Sequence, residues 1–230
     1  MRLVSAENLS KTYLLGEVEV RALREVSFSI EEGSLVSFVG PSGSGKTTLL
    51  NLIGCLDRPS GGTISVAGEN PAAMSRMEKA RFRADNIGFI FQNFNLIPVL
   101  TVYENVEYPL VMVQSVAAAE RRRRVGELLD AVGMTEHRDK RPDQLSGGQK
   151  QRAAIARALV AGPKLVLADE PTANLDHATA ATIMSAMRDM TARLGTTFVF
   201  STHDPRVIGE ADVVHTLEDG ALVASRKGGE

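Results

Sequence analysis

A chain of 230 residues with 26 Lys and Arg against 28 Asp and Glu carries a formal charge of −2, a balance that argues against a nucleic-acid partner and against a polybasic membrane anchor. Its single cysteine, Cys55, cannot close an internal disulfide, and no paired Cys/His spacing points to structural zinc, so a reducing compartment is expected. MRLVSAENLSKTY at the N-terminus is charged and lacks the apolar stretch of a signal peptide, and runs such as PLVMV and LVLA fall far short of the ~20 residues a spanning helix needs, so no direct membrane span is expected.

Hydrophobic content of 43% with 5% aromatic residues and no Trp reads as an α/β domain built on Val, Ile, Leu and Ala. LVSAENL and VRALREVSFSI, interrupted around Gly16, predict an antiparallel strand pair. SLVSFVG at 34–40 leads through a glycine-rich loop into TTLLNLIGCL, apolar on more than one face, which predicts strand, loop and buried helix. TISVA (63–67) and IGFIF (87–91) are short β-type runs, with SRMEKARFRA as a helical connection between them. Beyond residue 93 the composition turns helical, and Val125, Leu128, Leu129 and Val132 form a stripe at i, i+3, i+4 and i+7 that Gly133 ends. The stretch 93–158 is therefore expected to be a helical subdomain inserted into a core of 1–92 and 159–230.

KLVLAD (164–169) and TTFVFS (196–201) are continuous apolar runs, the pattern of parallel strands covered on both faces. The helix between them places Ile183, Met187, Met190 and Leu194 on one core-facing stripe and stops at Gly195. ADVVHTL and ALVASRK flank Glu218, Asp219 and Gly220 as a closing hairpin, and a polar tail follows Lys227.

GPSGSGKT at 40–47 comprises Gly40, Pro41, Ser42, Gly43, Ser44, Gly45, Lys46 and Thr47 and fits G-x-x-x-x-G-K-[ST] in full, between a predicted strand and a predicted helix. Glycines let such a loop bend tightly, so that backbone N–H groups and the positive end of the helix converge on phosphate oxygens. Lys46 supplies a point charge for the outer phosphates, Thr47 a hydroxyl for Mg²⁺, and Thr48 follows at the start of the helix. The matching half of such a site is a carboxylate at the end of a neighbouring apolar strand. LVLADEP supplies Asp169 for the Mg²⁺ shell and Glu170 as general base for the attacking water.

LSGGQ at 145–149 precedes KQRAAIARALVAG, a strong helix former. Ser146 and Gln149 stand three apart and make a capping box for that helix, and the same glycine-opened N-terminus, with Gly147 and Gly148, suits an anion. With one phosphate loop upstream and the acidic strand end 20 residues downstream, the chain resembles the nucleotide-binding subunits of ABC (ATP-binding cassette) transporters over essentially its whole length. The resemblance implies an α/β fold, a P-loop NTPase (RecA-like) core with an N-terminal antiparallel β subdomain and the inserted α-helical subdomain. It implies that Tyr13 stacks on adenine, that Gln92 in FIFQNFN links the γ-phosphate and Mg²⁺ to the transporter, and that His203 in STHD sits on the γ-phosphate. TANLD, with Asp176, would be a dimer-contact loop.

GCLDRPSGG, FQNFNLIPVLTVYENVEYPL and LADEPTANLD resemble the branch of macrolide-exporter and lipoprotein-release ATPases. That branch usually reads GNLD where this chain has Ala173-Asn174-Leu175-Asp176, and Ala tolerates positive φ less well than Gly. The resemblance further implies a head-to-tail homodimer, ATP between the phosphate loop of one copy and the LSGGQ turn of the other, and a separate membrane permease that keeps the chain peripheral on the cytoplasmic face of the membrane. Phe94, Leu96, Ile97 and Pro98 are candidates for a groove that meets the permease. The RRRR run at 121–124 reads as a solvated helix face, with Glu120 placed to pair with Arg124. Two other functions fit the same motifs: an ATPase that pulls on an envelope partner without transport, and a non-hydrolysing regulatory module, against which Lys46, Asp169, Glu170 and His203 argue.

Overall fold

The computed structural model describes residues 1–228, so the end of the polar tail predicted beyond Lys227 lies outside the described residues. Two long strands, β1 (Arg2–Leu15) and β2 (Val18–Glu31), form the predicted antiparallel pair; β1 runs six residues past the sequence reading at its C-terminal end, and the other three ends fall within two residues of it. They stay paired through irregularities at Asn8 and Glu25, both with positive φ, which break the alternation that marks a strand in sequence. β4 (Gly61–Val66) pairs with the other edge of β1 and completes a three-stranded sheet in the order β2-β1-β4.

The main sheet holds six strands in the order β5-β6-β7-β3-β8-β9. β3 (Leu35–Val39), β5 (Ile87–Ile90), β6 (Leu165–Asp169), β7 (Thr197–Thr202) and β8 (Val213–Glu218) run parallel, and β9 (Ala221–Lys227) returns antiparallel to β8 as the predicted closing hairpin. The central strands are buried along their length because both faces are covered, and their side chains alternate between two cores. Leu35, Val39, Val166, Ala168, Phe198 and Phe200 point into one. Val36, Phe38, Leu165, Leu167 and Val199 point into the other, which α1 (Lys46–Ile53) and the three-stranded sheet fill. α1 is shorter than TTLLNLIGCL suggested: it ends at Ile53, Gly54 caps it, and Cys55 turns away with φ 55°.

The first core is closed by helices. α3 (Val102–Met112), α4 (Ala118–Ala131) and α5 (Gly147–Leu159) contribute Val106, Val125, Leu129 and Ile155 to the same cluster as the sheet and α6 (His177–Leu194). The predicted 93–158 segment thus shares its core with the sheet, and the expected boundary at 158 falls inside α5. A second helix, α2 (Arg76–Asn86), precedes β5 and opens on a Ser75–Glu78 capping box, and a short α7 (Pro205–Ile208) follows β7. Along α6 the buried stripe is Ile183, Met184, Met187, Met190 and Thr191, while Leu194 is 52% exposed. Leu194 falls on this same face, seven residues on from Met187, but it is the last residue of the helix before the Gly195 cap, where the core no longer covers it. On α4, Arg124 pairs with Glu120 as expected, Arg123 bridges Glu120 and Glu127, and Arg121 reaches Glu107 on α3.

Candidate functional site

The strand order sets three C-terminal strand ends side by side: β3 runs into the phosphate loop, β6 ends in Asp169, and β7 leads to His203. In an open parallel sheet this is the edge at which ligands are bound. The loop is held from outside itself. Gly45, the residue before α1, has φ 101°, and a Cβ there would strike the carbonyl oxygen of Ala22 on β2; a Cβ on Gly40 would strike that of Leu217 on β8. Gly220 N–H in the β8–β9 turn donates to the Ser44 carbonyl (3.2 Å), and Arg24 N–H donates to the Gly220 carbonyl (2.7 Å). No side chain caps α1, so its first backbone donors stay directed at the loop.

Lys46 is buried, and its Nζ donates to the carbonyls of Gly40 and Pro41, both at 2.8 Å. An ammonium has three donors, so one remains for an anion. Burial holds its pKa below the ordinary lysine value, against the carboxylates of Glu170 and Asp169, which pull it up. An open cleft of about 380 Å³ lies over the loop, lined by Ser42, Gly43, Gly45, Lys46, Thr47 and Thr48 on one side and by Glu170 and the 20–24 segment on others.

Thr47 Oγ1 donates to Asp169 Oδ2 (3.0 Å), so the two oxygens expected to hold Mg²⁺ stand side by side. The other carboxylate oxygen, Oδ1, accepts from Ser201 Oγ (2.6 Å), and Ser201 Oγ in turn accepts from Glu170 N–H (3.0 Å). Ser201 is fully buried and ties the two acids in place. It was not singled out from the sequence, where one hydroxyl in an apolar run looks like filler. Parallel register is the signal, since Asp169 and Ser201 are direct partners across β6 and β7. Two hard oxygen donors suit Mg²⁺, which takes few protein ligands and keeps water and phosphate oxygens around it.

Glu170 occupies the left-handed region with φ 47°, an uncommon conformation for a residue with a side chain, and its Oε1 stands 3.0 Å from Nδ1 of His203. It lines both the phosphate cleft and a second cleft of about 360 Å³ shared with Thr172, Ala173, Leu175 and His203. The left-handed residue of this loop is therefore Glu170 and not Ala173, which lies outside positive φ, so alanine in place of glycine in TANLD brings no backbone conflict. Asp176 caps α6 through Thr179, accepting from its N–H (3.0 Å) and its hydroxyl (2.6 Å).

The remaining predicted residues lie apart from this cluster. Tyr13 borders Thr48 but does not line the cleft: its hydroxyl donates to Asp57 Oδ2 (2.8 Å), and Lys11 Nζ sits 4.7 Å over its ring. Burial raises the Tyr13 phenol, with the Asp57 carboxylate adding to the effect. Asp57 itself is held below the usual carboxylate value, because hydrogen bonds from Lys11 and Tyr13 outweigh its burial. Gln92 is exposed just after β5 and lines neither cleft, since β6 and β7 stand between β5 and β3. Its carbonyl accepts from Asn174 Nδ2 (3.0 Å), a link between the Gln92 loop and TANLD. Ser146, Gly147, Gly148 and Gln149 form the start of α5 and also lie outside both clefts. Of the proposed groove residues, Leu96 packs on the core and Phe94 gives its carbonyl to Arg157 Nη2 (2.8 Å); the open groove beside them is lined instead by Phe91, Asn95, Pro109 and Val113.

Comparison with known proteins adds a family match, described as ABC transporter, over residues 23–173. The chain is 44% identical to the lipoprotein-releasing system ATP-binding protein LolD of Anaeromyxobacter dehalogenans, over 96% of this chain and 92% of LolD. It is 43% identical to the macrolide export ATP-binding/permease protein MacB of Syntrophobacter fumaroxidans over 96% of its own length, but spans only 31% of that protein. Its fold superposes with a TM-score of 0.88 and 42% identity on the ATP-binding cassette MJ0796 of Methanocaldococcus jannaschii, a dimeric post-hydrolysis state bound to ADP and Pi, covering 97% of this chain and 98% of that one.

Proposed function

This chain belongs to the ABC transporter family as an ATP-hydrolysing subunit of the lipoprotein-release and macrolide-export type, and from that premise we propose how its residues divide the work. ATP places its phosphates over Gly40–Thr47, with the free donor of Lys46 on the outer phosphates and Tyr13 beside the base. Glu170 takes a proton from water as the water oxygen attacks the γ-phosphorus, the bond to the bridging oxygen breaks, and ADP and phosphate result. His203, held by Glu170 Oε1 at Nδ1, keeps its other ring nitrogen for the γ-phosphate. Thr47 and Asp169, with Gln92 as a further oxygen donor, would hold Mg²⁺, which when bound neutralises charge on the β- and γ-phosphates.

The Glu170–His203 contact, with Glu170 bordering the phosphate cleft and both residues lining the second one, is the observation that carries this reading. A second copy, head to tail, supplies Ser146–Gln149 to close the site against water, as ATP carries more charge than one loop neutralises. The dimeric MJ0796 cassette supports that arrangement. Among the described residues no helix is long and apolar enough to cross a membrane. We assign the transport path to a separate permease, which holds the chain on the cytoplasmic face and meets it beside the 93–158 helical segment. The test is Glu170→Gln: ATP binding persists, turnover stops, and an ATP-dependent dimer accumulates in sedimentation. Turnover near that of the parent would remove Glu170 from the mechanism.

A further inference from the structure

The cap of α5 carries a contact that none of the roles above requires. Ser146 Oγ accepts from Gln149 N–H (3.3 Å), and Ser146 N–H donates to Gln149 Oε1 (2.9 Å). The second bond commits the amide oxygen of Gln149, so its NH₂ group must point away from the cap. There it lies 3.0 Å from Nε2 of His137. An amide NH₂ only donates, so this ring nitrogen accepts and the ring proton of His137 sits on Nδ1. The flipped amide is not an alternative, because it would set an N–H of Gln149 against the N–H of Ser146.

His137 Nδ1 is buried with no partner among the described residues. A buried unmet donor costs stability that an apolar side chain would avoid. What the imidazole supplies here is therefore its one acceptor. The ring is also well anchored. It ends the 3₁₀ turn Thr135–His137, its N–H donates to the carbonyl of Met134 (3.0 Å), and Met134 is fully buried in the helical core.

We propose that His137 is a positioning residue: by accepting from Gln149 Nε2 it locks the side chain of Gln149, and with it the 146–149 turn, in the shape presented to a nucleotide on a second copy of this chain. The proposal rests on the two-chain reading given above. Locking the amide beforehand removes the ordering cost that closure would otherwise meet, so it acts on dimer formation and not on nucleotide capture by one protomer.

The test uses the full chain carrying Glu170→Gln, in which ATP-dependent dimer is read by sedimentation and ADP affinity of the protomer by calorimetry. Adding His137→Leu should raise the ATP concentration for half-maximal dimer about two- to tenfold, with ADP affinity unchanged. His137→Lys, a soluble second choice that offers only donors, should do the same, whereas His137→Gln, which can present an acceptor at similar reach, should restore the parent value. Dimerisation of the Leu and Lys variants at the parent's ATP concentration overturns the proposal, as does a Gln variant as impaired as they are. A Glu170→Gln parent that forms no dimer with ATP overturns the two-chain reading itself, and this proposal with it.

Discussion

The phosphate loop and the 145–149 turn both open a helix with glycine, yet they spend their polar groups in opposite ways. Gly45 before α1 offers no side-chain cap, so the helix's first donors are left for an anion, with a buried lysine and two acids arranged around them. Ser146 before α5 is capped reciprocally by Gln149, which answers two donors internally, and none of residues 146–149 lines the cleft that Lys46 and Glu170 share. The first region carries its chemistry in one chain. The second is, within one chain, a well-made helix start, and the anion role proposed for it would need a second copy.

The largest effect should come from the acid side of the first region. Glu170→Gln is expected to lower kcat by about 10²–10⁴-fold in a phosphate-release assay while retaining ATP. Lys46→Ala should lower hydrolysis by about 10²–10³-fold and also weaken nucleotide binding, because a charge stabilising the outer phosphates is lost. Unchanged affinity and rate would dissolve the contrast between the two turns.

Acid should also strike the two regions unequally. His215 on β8 stacks on Phe38 of β3, the strand that feeds the phosphate loop, and burial pushes its pKa down to about 4. Between the unfolded value of about 6.5 and 4 the unfolded chain binds a proton that the folded chain refuses, so stability falls as pH falls through that window. The loss should reach on the order of 3 kcal/mol near pH 4, read by urea unfolding, and His215→Leu should flatten that slope. A smaller pair of changes sharpens the comparison of the glycines themselves. Gly45→Ala meets a backbone carbonyl from a left-handed φ and should cost about 2–3 kcal/mol. Gly147→Ala sits in helical conformation, with only Leu175 Cδ2 at 3.2 Å to give way, and should change stability by less than about 1 kcal/mol.

Much of this arrangement was legible in the residues. Apolar strands that end in Gly40, Asp169 and His203 could be read because both-face burial leaves uninterrupted Val, Leu and Phe. The phosphate loop was legible because its chemistry is local. What escaped depends on register or distance. Ser201 gains meaning only beside Asp169, and Tyr13 is tied to Asp57, a residue 44 positions away, so neither contact leaves a local mark. Leu194 keeps the helical face of Met187 and Met190, but as the last residue before the Gly195 cap it lies past the end of the core, a limit that spacing alone does not mark. The positive φ of this loop falls at Glu170 and not at Ala173, a position that residue type alone does not reveal.

The walls of the phosphate loop come from far along the chain. β3 lies between β7 and β8, and Ser44 is fastened by Gly220 of the last hairpin. Synthesis delivers residues 40–47 early, but the strands that shape them emerge more than 150 residues later. Pairings of such separation form late, because long loops must close before any contact is gained. A chain that stops before β8 therefore lacks two of the contacts that hold this loop, the Leu217 carbonyl packed against Gly40 and the Gly220 N–H on the Ser44 carbonyl, and keeps only the wall that β2 provides at Gly45.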